Sequence, residues 1–352
     1  MWHDLLGIKR RMSGDLSPKS PSTKVPRTAP ANQLEALKDM TVVVADTGDY
    51  EKIKQFKPED ATTNPTLILQ AVQLPEYAPL VTSVVEKCKS LGLSGESLVD
   101  EICDRLAVQF GLEILKLIPG RVSTEVDACL SFDAQRSIEK AKKYIALYEE
   151  HGISKDRILI KLASTWEGVE ACRQLEKEGI HCNMTLIFSF EQAIACAQAG
   201  ATLISPFVGR ILDWHKTHRP TEGPYTKLTD PGVVSVTRIY KYLKAHGHHT
   251  TVMGASFRSK DEILGLAGID SLTISPKLLD ELEKCSDDLE RVLDASLVES
   301  NIERVHVTES MYRWSLNEDQ MATDKLSEGI RNFNKDLEKL RDTVKTKLGG
   351  EH

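Results

Sequence analysis

The stretch Ile158-Leu-Ile-Lys-Leu-Ala163 is apolar along both of its alternating faces, with one lysine set into it. A strand covered on one side only would alternate apolar and polar residues, because successive side chains point to opposite faces. A nearly continuous apolar run is expected instead of a parallel strand buried on both faces. Runs of this kind recur along the chain and predict eight strands, at 41–46, 60–63, 121–126, 158–163, 181–188, 202–208, 250–256 and 271–275.

Between the runs, apolar residues recur three and four apart. That spacing predicts helices over 66–90, 96–117, 133–148, 167–178, 190–199 and 231–245. Phe132-Asp133 and Thr229-Asp230-Pro231 supply N-cap chemistry, and Gly152, Gly179, Gly200 and Gly247 fall where helices should stop. Strands and helices in strict alternation describe an α/β chain folded as a single (β/α)8 TIM barrel. An open doubly wound sheet would usually show a glycine-rich phosphate turn, and neither GxGxxG nor GxxxxGK[ST] occurs. Beyond the last strand, Leu326, Ile330, Phe333, Leu337, Leu340 and Val344 form one apolar stripe of an extra C-terminal helix over about 317–348. It is expected to pack across the barrel or against another subunit. Residues 1–33 are rich in Pro, Ser and basic side chains and are expected to be a disordered tail, leaving 34–348 as the barrel domain. Lys9-Arg10-Arg11 with Lys19, Lys24 and Arg27 fits nuclear or organellar targeting, although a solvated basic tail is the commoner meaning of such a run.

The formal net charge of −7 speaks against a nucleic-acid-binding surface. No apolar run approaches the roughly 18 residues that a membrane span requires. The seven cysteines, at 88, 103, 129, 172, 182, 196 and 285, form no CxxC pair. They fit reduced thiols in a cytoplasmic protein better than a zinc or disulfide framework.

Barrel enzymes place their chemistry at the C-terminal ends of the strands. Here those ends are polar. Asp46 closes the first strand, Asn64 follows the second, Glu125 ends the third, and Lys161 lies in the fourth. Asn183 and Thr185 share a face of the fifth; Ser205 and Phe207, followed by Arg210, mark the sixth; Ser256 and Arg258 mark the seventh. Each alone has a plain structural meaning, since an Asp at such a point is more often an N-cap and an Asn or Ser a turn residue. A lysine inside an apolar strand is harder to explain, because burying an unpaired ammonium is costly. Taken together, they describe an active site. Metal spacing among His, Cys and carboxylates is lacking, as is a Gly-x-Ser-x-Gly elbow. A buried lysine beside an acid suits Schiff-base catalysis: the neutral amine, which burial favours, attacks a ketone, and the protonated imine then draws electrons from the adjacent carbon–carbon bond. Glu125 and Asp46 are the candidates for proton donor and base. Asn64, Asn183, Thr185 and Ser205 suit sugar hydroxyls or a water, and Arg210 and Arg258, the latter with Ser256, suit phosphate.

Several ordered segments resemble the transaldolase family. They are Val43-Val-Ala-Asp-Thr-Gly-Asp49, Asp60-Ala-Thr-Thr-Asn-Pro65, Pro119-Gly-Arg-Val-Ser-Thr-Glu-Val-Asp127, Ile158-Leu-Ile-Lys-Leu-Ala-Ser-Thr-Trp166, Cys182-Asn-Met-Thr-Leu186, Ile204-Ser-Pro-Phe-Val-Gly-Arg-Ile-Leu-Asp-Trp214 and Met253-Gly-Ala-Ser-Phe-Arg258. The resemblance covers about 34–345, including Asn317-Glu-Asp-Gln-Met321. It implies a barrel that moves a dihydroxyacetone unit from sedoheptulose 7-phosphate to glyceraldehyde 3-phosphate, in the pentose phosphate pathway. It further implies Lys161 as the Schiff-base lysine, Asp46 as base and Glu125 as acid/base through water. Asn64, Asn183, Thr185, Ser205 and Phe207 fall on active-site positions, and Arg210, Ser256 and Arg258 on phosphate-binding ones. No cofactor or metal is implied, and homodimers are common in such a family. A related aldolase that releases free dihydroxyacetone is the alternative, but such relatives tend to carry Gln and Tyr at the positions of Glu125 and Phe207. A catalytically silent scaffold need not keep Lys161, Asp46 and Glu125 together. Two departures stand out: the segment 215–225 differs from the Lys-rich loop expected there, and Cys129 stands where Arg is usual.

Overall fold

The computed structural model describes residues 30–299 and 301–349, and the expected tail up to position 29, with its basic segment, lies outside them. Strands β1 (Val42–Asp46), β2 (Asp60–Thr62), β3 (Val122–Glu125), β4 (Ile158–Ala163), β5 (Cys182–Ile187), β6 (Leu203–Pro206), β7 (Thr251–Gly254) and β8 (Ser271–Ile274) pair in chain order, all parallel. β8 pairs with β1 and closes the barrel. All eight expected runs are strands; β4 matches its run and the others are shorter by one to three residues where the chain enters or leaves the sheet.

Helices fill the outer layer. They are α1 (Gln33–Lys38), α2 (Tyr50–Phe56), α3 (Pro65–Val72), α4 (Ala78–Lys89), α5 (Gly95–Leu115), α6 (Ala134–Glu149), α7 (Trp166–Lys177), α8 (Phe190–Gln198), α9 (Val208–His218), α10 (Pro231–Ala245), α11 (Lys260–Leu264), α12 (Pro276–Glu283), α13 (Glu309–Glu318) and α14 (Gln320–Gly349). Asp133 and Asp230 cap α6 and α10 through their side chains, as their positions suggested. Gly152, Gly179, Gly200 and Gly247 all adopt positive φ just past helix ends, where a side chain would be strained.

Two expected helices are divided. The single helix expected over 66–90 is α3, a 3-10 turn at Pro75–Tyr77, and α4. Pro75 cannot donate to the preceding turn and clashes with its carbonyls, so the helix ends before it. The helix expected over 317–348 begins instead at Gln320. Asp319 leaves the helical conformation and its side chain accepts the Ala322 N–H at 2.9 Å, ending α13 and starting α14.

The apolar stripe of α14 is buried as expected, and its partner is the barrel itself. Met321, Leu326, Ile330 and Phe333 pack with Leu186, Phe188, Phe207 and Trp214, while Leu337, Leu340 and Val344 join the cluster formed by α3, α4 and α5. Arg341 pairs with Asp100 and Glu96 on α5, and Thr66 donates to Asp336 at 2.6 Å. The helix therefore crosses the end of the barrel at which the strands finish. Gly329 makes that crossing possible: a Cβ there would stand 2.7 Å from a Leu186 methyl carbon.

Candidate active site

Lys161 owes its place to register. On β4 it stands opposite Glu125 of β3 and Asn183 of β5, so the three side chains share the inner face of the sheet. Its Nζ lies 3.1 Å from Glu125 Oε2 and 3.3 Å from the Thr63 carbonyl, to which it donates. The residue is only 5% exposed, which makes this a buried ion pair. The Phe333 ring of α14 faces the same nitrogen, its centroid 5.7 Å away.

Both carboxyls near the lysine are held above the ordinary carboxylate range. Burial drives the shift of Glu125, opposed by the Lys161 charge. The same balance holds at Asp46, where Lys161 and a hydrogen bond from Thr62 Oγ1 at 3.3 Å also pull the other way. Asp46 is not a helix cap: α2 is capped by Asp49, so Asp46 remains available to the barrel interior. Two buried oxygens of this region, Thr185 Oγ1 and Glu125 Oε2, have no hydrogen-bond partner among the described residues, and both can engage a hydroxyl or a water. The 3.1 Å approach of Lys161 to Glu125 Oε2 is thus an ionic contact without hydrogen-bond alignment.

A cavity of about 150 Å³ opens above these groups. Asp46, Asn64, Lys161, Thr185, Ser205, Phe207, Arg210 and Ser256 line it, which brings most of the expected residues together. Glu125 and Asn183 do not form its wall. Asn183 donates to Ser123 Oγ at 3.0 Å and accepts from Ser205 Oγ at 2.6 Å, an amide engaged at both its nitrogen and its oxygen that ties β3, β5 and β6 together beside the lysine. Asn64 combines both meanings its position had: its Oδ1 caps α3 by accepting the Leu67 N–H at 3.0 Å, and the residue still faces the cavity.

The arginines differ. Arg210, at the first turn of α9, is stacked between the rings of Phe207 (4.8 Å) and Phe333 (5.6 Å) and has no ion-pair or hydrogen-bond partner among the described residues. Burial pulls its pKa down, and the nearby Arg258 adds to this, so the site presents an unneutralised cation to an anion. Arg258 is more exposed and is held by Asp213 at 2.7 Å, with Nη1 reaching Ser256 Oγ at 3.4 Å. It stands at the rim.

The backbone around the cavity is shaped for this arrangement. Leu186 and Ser256 both take positive φ (58° and 61°), uncommon for side-chain-bearing residues, and the β5–β6 register shifts between Met184 and Ile187. Gly209 passes so close that a Cβ would meet the Ser256 carbonyl oxygen at 2.4 Å. Sequence reasoning missed Phe333 as a site residue, because its helical spacing reads equally as core. It also missed Thr62, Thr66 and Thr273, which line the cavity too.

Two other features of the molecule lack the chemistry of this site. A larger cavity, about 630 Å³, lies near the starts of β1 and β8, lined by Lys38, Thr41, Lys57, Glu59 and Asp270. It contains no counterpart of the Lys161 cluster. Cys172, Glu176 and Cys182 lie close enough together to suggest a metal site. The Glu176 carboxylate, however, already accepts the N–H groups of Cys182 (2.8 Å) and Thr202 (2.7 Å), which makes it a staple between strands.

The family model described as Transaldolase/Fructose-6-phosphate aldolase matches residues 43–344. Curated relatives named Transaldolase include one from Marinomonas sp. (strain MWYL1), 57% identical over 90% of this chain and 100% of its own length. Another, from Shewanella frigidimarina (strain NCIMB 400), is 58% identical over 90% of this chain and 99% of its own. A third, from Protochlamydia amoebophila (strain UWE25), is 58% identical over 90% and 98%.

Proposed function

This chain belongs to the transaldolase/fructose-6-phosphate aldolase family, and we propose that its Lys161 cluster carries out transaldolase chemistry. A dihydroxyacetone unit passes from sedoheptulose 7-phosphate to glyceraldehyde 3-phosphate, giving erythrose 4-phosphate and fructose 6-phosphate. The observation that carries this reading is the buried lysine with two raised carboxyls near it, beside an unpaired arginine.

Once its proton has passed to the adjacent Glu125, the Lys161 amine attacks the ketone carbon of the donor. Glu125 supplies the proton with which the carbinolamine hydroxyl leaves as water, directly or through one bridging water. A carboxyl held above its ordinary range is partly protonated nearer neutrality and so suits that donation. Asp46, which lines the cavity, takes the proton from the hydroxyl next to the scissile bond. The bond electrons move toward the imine nitrogen and the first aldose leaves. The enamine left on Lys161 adds to the acceptor aldehyde, and the same proton transfers in reverse, followed by hydrolysis, release the new ketose. Thr185 and Ser205 are suited to sugar hydroxyls, Asn64 through its amide nitrogen. Asn183 acts one step back, by fixing Ser205. Arg210, Ser256 and Arg258 bind phosphate.

Supply of fructose 6-phosphate and erythrose 4-phosphate tests the reaction, with sedoheptulose 7-phosphate as the expected product. Free dihydroxyacetone formed from fructose 6-phosphate without an acceptor, at a rate matching the transfer, would favour the aldolase alternative. The family resemblance also supports a homodimer and a cytoplasmic location. The free cysteines fit a reducing compartment, and no helix among the described residues is long and apolar enough to cross a membrane.

A further inference from the structure

Next to the rim arginine lies a buried carboxyl that the reaction above does not use. We propose that Glu262 is a positioning residue for phosphate recognition: it holds the Arg258 backbone N–H and so sets the 256–258 loop to receive the phosphate of the sugar.

Glu262 is 1% exposed. Its Oε2 accepts the Arg258 N–H at 2.5 Å, and its Oε1 has no hydrogen-bond partner among the described residues. Ordinary helix capping does not account for this. Ser259 caps α11, so a Glu at the third helical position would be expected to return to the Ser259 N–H. The Ser259 N–H also acts on the Glu262 carboxylate, but the well-formed hydrogen bond goes one residue further, to the residue that carries the guanidinium. The loop it grips is held from other sides as well. The Val208 and Gly209 N–H groups donate to the Ala255 and Ser256 carbonyls, at 2.9 Å each, and Asp213 holds the Arg258 guanidinium. With Ser256 at positive φ, the loop does not keep this shape by local preference alone.

The position of Glu262 also gives phosphate binding a pH dependence. Burial pushes its pKa up to about 7, and Asp230 at the head of α10 adds to the shift, while Arg258 opposes it. These are the charged groups that face it from the neighbouring elements, with Asp213 of α9 behind Arg258. A bound phosphate is a further negative charge on the same loop, so it favours the protonated carboxyl. By linkage, phosphate affinity weakens as pH rises through the neutral range.

This inference rests on the proposed transaldolase reading, and the test separates the two. Glu262→Ala should raise KM for fructose 6-phosphate by about tenfold, with kcat within about twofold, and leave kcat/KM for unphosphorylated fructose unchanged. Glu262→Gln keeps an acceptor for the Arg258 N–H and should restore most of the affinity. The ratio of wild-type KM to Glu262→Gln KM should rise about threefold from pH 6 to 8.5, which cancels the titration of the substrate phosphate itself. Equal losses with phosphorylated and unphosphorylated ketose, or wild-type and Gln profiles that run parallel, would overturn the proposal. Borohydride trapping on Lys161 in Glu262→Ala reports separately on the catalytic reading and is expected to persist.

Discussion

The two sides of β3 bury charge in opposite ways. Behind the strand, Asp104 meets Lys140 at 2.7 Å, Lys143 at 2.5 Å and the Tyr144 hydroxyl at 3.3 Å. Lys140 reaches on to Asp127 at 3.1 Å, and Lys143 to Glu101 at 2.7 Å. Each cation there serves two carboxylates. Inside the barrel, Lys161 faces Glu125 and Asp46, both carboxyls raised, with a buried oxygen unbonded and Arg210 unpaired. The outer cluster is close to saturated and holds α5 and α6 to the end of β3. The inner one is left unsaturated, so that a substrate can complete it. Burial of charge is common to both; only the unfilled bonding capacity distinguishes a reactive site from a structural one.

The comparison breaks most sharply at Lys161. Lys161→Met should reduce transfer to background, a larger loss than the roughly 10²–10⁴-fold that follows removal of one proton-transfer group. Circular dichroism should show a folded barrel. Measurable turnover in that variant would remove the lysine from the mechanism.

Asp46→Asn and Glu125→Gln should each lower kcat by about 10²–10⁴-fold, in single-turnover measurements where product release does not intrude. Because burial holds the Asp46 carboxyl above its ordinary range, the acid limb of kcat/KM should lie above that of a free aspartate, near 3.9. The same shift has a stability sign. A raised folded-state pKa means that the native protein binds the proton more tightly than the unfolded chain. Its contribution to stability is therefore greatest below the unfolded pKa and is lost as pH rises through the folded one. Asp46→Asn should accordingly gain stability relative to wild type at pH 7 and less at pH 4, in chemical denaturation.

Outside the barrel the order reverses. Lys140→Met leaves Asp104 and Asp127 partly uncompensated and should cost about 3–5 kcal/mol of stability. Activity per folded molecule should stay within a few-fold of wild type. A variant that keeps its stability but loses kcat would show that the outer cluster tunes the inner one. The smallest effect is expected at Phe333. Phe333→Leu keeps apolar volume but removes the ring that faces both Lys161 and Arg210, and should change kcat/KM by about five- to thirtyfold, at about 0.5–1 kcal/mol for each of the two lost cation–π contacts.

The strands were legible from short apolar or β-branched runs in alternation with helical periods; Ile158–Ala163 is nearly continuous, whereas β2 (Asp-Ala-Thr) and β3 (Val-Ser-Thr-Glu) were placed by that alternation. Lys161 stood out as a charge flanked on both sides by the apolar residues of Ile158–Ala163. The residues on strand ends could be placed on a face by counting in twos, which is why Asp46, Thr185, Ser205 and Lys161 meet. Helical spacing carries less information. Phe333 sits in a stripe whose other members are core, and the same period serves a residue over an active site. Local chemistry also overrode periodicity where Pro75 and Asp319 divide helices that the apolar pattern runs through. The engaged amide of Asn183 and the tether from Asp213 to Arg258 depend on neighbours brought from distant segments, which spacing along the chain does not reveal.

The most direct test of the account is reduction of the enzyme with borohydride in the presence of fructose 6-phosphate, followed by peptide mapping. A single dihydroxyacetone-derived adduct on the Lys161 peptide is the predicted result, lost in Lys161→Met. An adduct on another lysine, or none while transfer proceeds, would contradict it.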